Sequence, residues 1–167
     1  NNLQLEQDVW KKCEERENIG KFISDTLRNP KVGELPLLIL GLPGAGKSLL
    51  CNMLAAKILC HEYHVIIIKL RDVIADEPIN QQINQQMKRE FSNSCTWDDI
   101  AESGINKPIL LIFDGYDELL QASGRTYSDY IQKISDFQKQ QKTIYNILVK
   151  CIVTSRTTLI DKALITD

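Results

Sequence analysis

A three-layer α/β fold, with a mostly parallel sheet flanked by helices, is predicted by three features of the sequence. Four short runs are apolar at nearly every position: Leu35 to Leu40, Val65 to Leu70, Ile109 to Phe113 and Val149 to Thr154. None alternates apolar with polar as a half-exposed antiparallel strand does, so each reads as a strand covered on both faces. Amphipathic stretches separate the runs, giving the order β-α-β-α-β-α-β that calls for parallel strands joined by crossovers. The first run also feeds a glycine-rich turn that opens directly onto a helical stripe.

The 167 residues, 43% of them apolar, supply about one globular core. Twenty Lys and Arg against 22 Asp and Glu leave a net charge of −2, which provides no general electrostatic case for binding nucleic acid or a membrane surface. The apolar runs are far shorter than the ~20 residues of a transmembrane helix. The five cysteines, Cys13, Cys51, Cys60, Cys95 and Cys151, are irregularly spaced without a Cys-x-x-Cys pair. They suggest neither a disulfide framework nor a zinc site, and a reducing, cytoplasmic setting is expected. His61 and His64 beside Cys60 lack the further ligands that a metal site requires.

Along the chain, Trp10, Cys13, Ile19, Phe22, Ile23 and Leu27 fall near helical spacing between Glu6 and Arg28, and Asn29-Pro30 stops them. Residues 1–30 are therefore expected to be an amphipathic helical segment, and residues 31–167 the core domain. Leu50, Met53, Leu54 and Ile58 predict a helical stripe after the first strand; Ile79, Ile83, Met87 and Phe91 predict another. The Gln/Asn-rich patch from Asn80 to Gln86 is expected on the wet face of that second helix. Thr96 with Asp99, and Thr126 with Asp129, have the spacing of capping boxes and predict two further helix starts.

Gly41-Leu42-Pro43-Gly44-Ala45-Gly46-Lys47-Ser48 fits G-x-x-x-x-G-K-[ST] and lies between a strand and a helix, the setting that this phosphate loop requires. Its glycines permit a turn whose backbone N–H groups converge on an anion. The helix that follows aims its unsatisfied N–H groups and positive dipole end at the same place. Lys47 is expected to neutralise the β- and γ-phosphates and the Ser48 hydroxyl to ligate Mg²⁺. Leu49 completes the expected nucleotide-binding stretch from Gly41.

The third run continues Asp114-Gly115-Tyr116-Asp117-Glu118. A carboxylate at the carboxyl end of a buried parallel strand points into the crevice where open α/β sheets bind ligands, so Asp114 is the expected Mg²⁺ partner. Asp117 and Glu118 follow within one turn, close enough to polarise an attacking water or hold a metal-bound one. Three carboxylates this close repel one another, so a cation or an arginine is expected nearby. The fourth run ends Thr154-Ser155-Arg156, delivering more polar groups to the same edge. Ser155 or Arg156 could report the γ-phosphate, and Arg156 could equally pair with Asp114, Asp117 or Glu118.

Together, the phosphate loop, the Ile109-to-Leu119 segment and Val153-Thr154-Ser155-Arg156 resemble the NACHT family of signal-transducing STAND P-loop NTPases, the group that includes NLR-like proteins. Its distinctive mark is the small residue directly after the magnesium Asp, with two acids following one position later. Val65 to Asp72 is similar to a strand and Leu-Arg-Asp/Glu segment of many members, and Arg16-Glu17 to an Arg-Glu pair that often precedes the first strand. The resemblance implies an additional-strand (ASCE-type) sheet, with the strand ending at Arg156 between the phosphate-loop strand and the acidic strand. It further implies a slow, Mg²⁺-dependent ATPase that is closed with ADP and self-associates with ATP, in innate immunity, cell death or anti-phage defence. On that pattern Lys47, Asp117, Glu118 and Arg156 are the catalytic set, with Arg156 as sensor, while Ser48 and Asp114 hold the metal. Family members continue into a further strand, a helical domain and a winged helix, so the core is expected to be incomplete at its C-terminal end and the activating ligand to be sensed elsewhere.

Two other functions compete. A P-loop kinase of a nucleotide or small metabolite would suit the loop equally well, but not the additional strand between Lys47 and Asp114 or the acids after Gly115. An AAA-like DNA-associated ATPase would present a basic face that the overall charge does not advertise.

Overall fold

The computed structural model describes residues 18–29, 35–91, 95–103, 106–123 and 128–157. Four strands form one parallel sheet: β1 (Leu37–Leu40), β2 (His64–Lys69), β3 (Ile109–Asp114) and β4 (Val149–Ser155), in the spatial order β1-β4-β3-β2. The additional strand therefore lies where the resemblance implied, with β4 between β1 and β3. The helices are α1 (Ile19–Arg28), α2 (Lys47–Met53), α3 (Ile79–Glu90), α4 (Trp97–Ser103), α5 (Tyr116–Ser123) and α6 (Ser128–Tyr145).

Side-chain alternation along β3 divides the core in two. Ile109, Leu111 and Phe113 pack with α3 to α6, whereas Leu110 and Ile112 pack beneath α1 and α2. Helices thus cover both faces, and β3 and β4 are buried throughout except at Asp114. The outer two strands depart from expectation. β1 is shorter than the apolar run and leaves Leu38 39% exposed. β2 is only half-buried over most of its length. Among the described residues both are edge strands, and their apolar runs are not buried on both faces.

The helical faces also rotate from those expected. Asn18 caps α1 by accepting from the Lys21 backbone N–H at 2.9 Å, and the helix ends at Arg28, before Pro30 as predicted. Its buried stripe is Gly20, Ile23, Ser24 and Leu27, while Ile19 and Phe22 are exposed. Gly20 allows a close contact on this face, where a Cβ would stand 2.7 Å from Ile58 Cδ1. The residues before Asn18, with Trp10 and Cys13, lie outside the described segments, as does the Thr126 cap.

After α2 the backbone widens into a π-helical turn over Leu54–Ile58, with the Leu59 N–H bonded to the Leu54 carbonyl at 2.8 Å. Of the expected stripe, Leu54 is buried and Leu50 and Ile58 pack against the same core, whereas Met53 is exposed; Cys51 and, after the wider turn, Leu59 join the core as well. In α3, Ile79 and Ile83 are buried as expected, but Phe91 is exposed. The glutamine patch is not the wet face: Gln82 is 0% and Gln86 2% exposed. Gln82 Nε2 donates to the carbonyls of Ala75 and Glu77, and Gln86 Oε1 accepts from the Lys69 N–H. Asn84 Oδ1 accepts from the Trp97 N–H. Gln82 and Gln86 are buried with their amides bonded to backbone groups at the loop ends around α3, and hydrogen bonding offsets their desolvation. The Thr96–Asp99 cap forms as expected, with Asp99 Oδ2 accepting from the Thr96 N–H and hydroxyl at 2.8 and 2.7 Å. No helix among the described residues is long and apolar enough to cross a membrane.

Candidate active site

The carboxyl ends of β1, β3 and β4 and the start of α2 surround a cavity of about 310 Å³. Its walls are Pro43 to Leu49, Asp114, Gly115, Asp117, Glu118, Thr154 and Arg156. Gly44 and Gly46 have φ of +75° and +84°, and a Cβ at either would meet nothing within 4 Å. Backbone conformation, not crowding, therefore requires glycine at both positions, and the loop is left open around an anion-sized space. Lys47 curls back over the loop, its Nζ donating to the carbonyls of Gly41 and Leu42 at 2.9 and 3.0 Å. Gly41 and Leu42 thus position the ammonium without lining the cavity, and the Leu42 side chain is exposed.

At the opposite wall, β3 and β4 are pinned together. The Gly115 N–H donates to Thr154 Oγ1 at 3.0 Å, so the hydroxyl must direct its own proton elsewhere. It donates to Asp114 Oδ1 at 2.6 Å. The Cys51 thiol also approaches that oxygen, Sγ to Oδ1 being 3.9 Å. Burial and the adjacent carboxylate push the thiol up to about 12, so Cys51 stays protonated. The neutral Thr154 and Cys51 groups hold one Asp114 oxygen and fix its orientation. The sequence placed Thr154 among the polar groups at this edge without assigning it a role, and nothing in the irregular spacing of the cysteines pointed to Cys51.

The two following acids have different surroundings. Asp117 Oδ2 pairs with Arg156 Nε at 2.7 Å, and the Asp117 side chain is only 5% exposed against 36% for Arg156. Of the alternatives open to Arg156, the structure realises the Asp117 pair. Ser155 is buried away from the cavity, its Oγ donating to the Arg156 carbonyl and its own carbonyl accepting from the Gly41 N–H. Among the described residues no partner engages the Glu118 carboxylate, which lines the cavity. Gly115 makes its placement possible: φ is +88°, and a Cβ there would stand 3.3 Å from Glu118 Cδ. Beneath this turn the Tyr116 ring stacks on Tyr130 at a centroid distance of 5.9 Å, anchoring the start of α5 to α6. Tyr116 is a supporting residue that the motif reading passed over, since an aromatic between two acids carries no ligand signal.

A glycine-lined anion cradle facing a strand-end carboxylate, on a parallel sheet with one inserted strand, defines a nucleotide-binding ATPase of the P-loop class. The model of the ATPase family associated with various cellular activities (AAA) matches residues 37–166, and the chain belongs to that family. No curated protein matches the chain. AAA ATPases bind ATP and ADP with Mg²⁺. The residues here fit that ligand: an open cradle with an ammonium on one wall, and on the other a carboxylate with one oxygen already held by neutral donors.

Thr154→Val, which keeps the side-chain shape, is expected to lower stability by about 1–3 kcal/mol, because the buried Gly115 N–H loses its acceptor. It should also raise the Mg²⁺ concentration needed for nucleotide binding, and Thr154→Ser should restore both. Thermal unfolding and Mg²⁺ titrations of the two variants provide the check; identical behaviour of valine and serine would show that the hydroxyl pins nothing.

Proposed function

We propose that the chain is the nucleotide-binding core of a NACHT-type STAND switch, a slow ATPase whose output is conformation and self-association. The observation that carries this reading is the arrangement Asp114-Gly115-Tyr116-Asp117-Glu118, with left-handed Gly115 separating a strand-end carboxylate from two acids on the first turn of a helix. In this reading residues 31–167 are the core, preceded by a helical segment over 1–30.

The N–H groups from Gly41 to Leu49 and the Lys47 ammonium bind and orient the phosphates. Ser48 and Asp114 hold Mg²⁺, which neutralises phosphate charge when it is bound. Glu118 orients and deprotonates the attacking water, because it is the acid of the pair left uncommitted. Asp117 holds Arg156 at the cavity wall, where the guanidinium meets the γ-phosphate as sensor. Pairing and sensing, alternatives in the sequence, are compatible in space, since one guanidinium has five donors.

The family match also accommodates a DNA-associated AAA-type ATPase. Phosphate release measured alone, with duplex DNA and with a panel of metabolite acceptors separates the readings. Turnover well below ~1 s⁻¹, the low end of ordinary enzymes, is expected, unchanged by DNA or acceptors. Stimulation by DNA would favour the DNA-associated reading, and rapid phosphorylation of an acceptor would favour the kinase.

A further inference from the structure

A second and larger cavity, about 960 Å³, lies between α3, α4 and α6 on the sheet face away from α1 and α2. The phosphate loop contributes nothing to it. Its floor is apolar: Trp97 meets Phe137 edge to face at 5.2 Å, with Ile147 alongside. Tyr145 stands at one end, 57% exposed. Along α6 the lining extends from Asp129 to Tyr145, about 24 Å at the helical rise per residue. That length suits an elongated polypeptide better than a compact metabolite.

Charge decides what kind of polypeptide. Asp98, Glu102 and Asp136 stand around the groove, and among the described lining residues Lys133 is the one cation, a formal excess of two negative charges over those four side chains. Lys133 does little to offset them, since its Nζ donates to the backbone carbonyls of Ala75, Asp76 and Glu77. Gln141 also lines the groove and is 4% exposed, and among the described residues its buried Oε1 has no hydrogen-bond partner. An unpaired buried acceptor is costly, and a donor arriving from the groove would relieve it.

We infer that this groove binds a basic polypeptide segment of a partner protein, one that sets apolar side chains on the Trp97–Phe137–Ile147 floor and Lys or Arg against the acidic rim. The same charge repels nucleic acid and anionic lipid. The site is separate from the nucleotide cavity and does not rest on the signalling reading above.

The test uses two fluorescent synthetic peptides of the same apolar pattern, one carrying Lys and Arg and the other Glu at the polar positions, followed by fluorescence anisotropy. The basic peptide is expected to bind and to weaken by roughly tenfold between about 0.05 and 0.5 M salt. The acidic peptide should not bind. Combining Asp98→Lys, Glu102→Lys and Asp136→Lys should weaken the basic peptide by about tenfold or more while leaving ATP affinity unchanged. Single neutralisations, Asp98→Asn or Glu102→Gln, change exposed side chains only and should each weaken it by roughly twofold. Equal binding of the two peptides overturns the inference, as does unaltered binding by the charge variants, or a preference for duplex DNA or anionic vesicles over the basic peptide.

Discussion

Glu118→Gln is expected to lower phosphate release by roughly 10²- to 10⁴-fold, the contribution of a positioned general base, with ATP affinity nearly unchanged. The amide keeps the size of the side chain and removes its basicity, so only proton acceptance from water is lost. Asp117→Asn should act differently. Asp117 is buried against Arg156, and the substitution removes the charge from the 2.7 Å pair. The expected result is a loss of about 1–3 kcal/mol in stability, with a smaller effect on turnover that follows the displaced guanidinium. Phosphate release and thermal unfolding, measured on both single variants and on the double variant, separate the two roles. Parent-like release from Glu118→Gln would remove Glu118 from the chemistry.

Lys47→Ala is expected to weaken ATP and ADP binding by roughly 10- to 100-fold in calorimetry, the size of one or two charge-assisted hydrogen bonds to phosphate. The loss should fall mainly on affinity and little on the fold. Among the described residues the ammonium is held by two carbonyls of its own loop, those of Gly41 and Leu42, and the loop lies at the protein surface. That contact keeps Lys47 at the cradle before nucleotide arrives, so part of the ordering cost is met in the free protein. Equal affinity in the alanine variant would sink the assignment of Gly41 to Ser48 as a phosphate loop.

Much of this was legible in the chain. The four apolar runs became the four strands, Asn29-Pro30 and Thr96-Asp99 marked helix boundaries, and Gly41 to Ser48 lay where a strand meets a helix. These signals are local: turn dihedrals, capping spacing and the apolar character of a short run depend on few neighbours. The expectations that failed depended on distant neighbours. Leu38 is exposed on a sheet face that its neighbours do not cover, and Phe22 lies off the face of α1 that Gly20, Ile23, Ser24 and Leu27 bury. Gln82 and Gln86 are buried because loop groups from the ends of β2 and α3 turn back to meet them.

The sequence by itself determined the class: a parallel sheet, a phosphate loop after its first strand and acids at the end of its third. Its resemblance anticipated the strand order. Tertiary structure alone decided which partner each acid receives, since Asp114, Asp117 and Glu118 are chemically equivalent until something stands beside them. Thr154 and Cys51 reach Asp114, Arg156 reaches Asp117, and no described partner reaches Glu118. All three of those partners lie more than thirty residues away along the chain, where spacing carries no signal and only the packing of β4 and α2 against β3 brings them together.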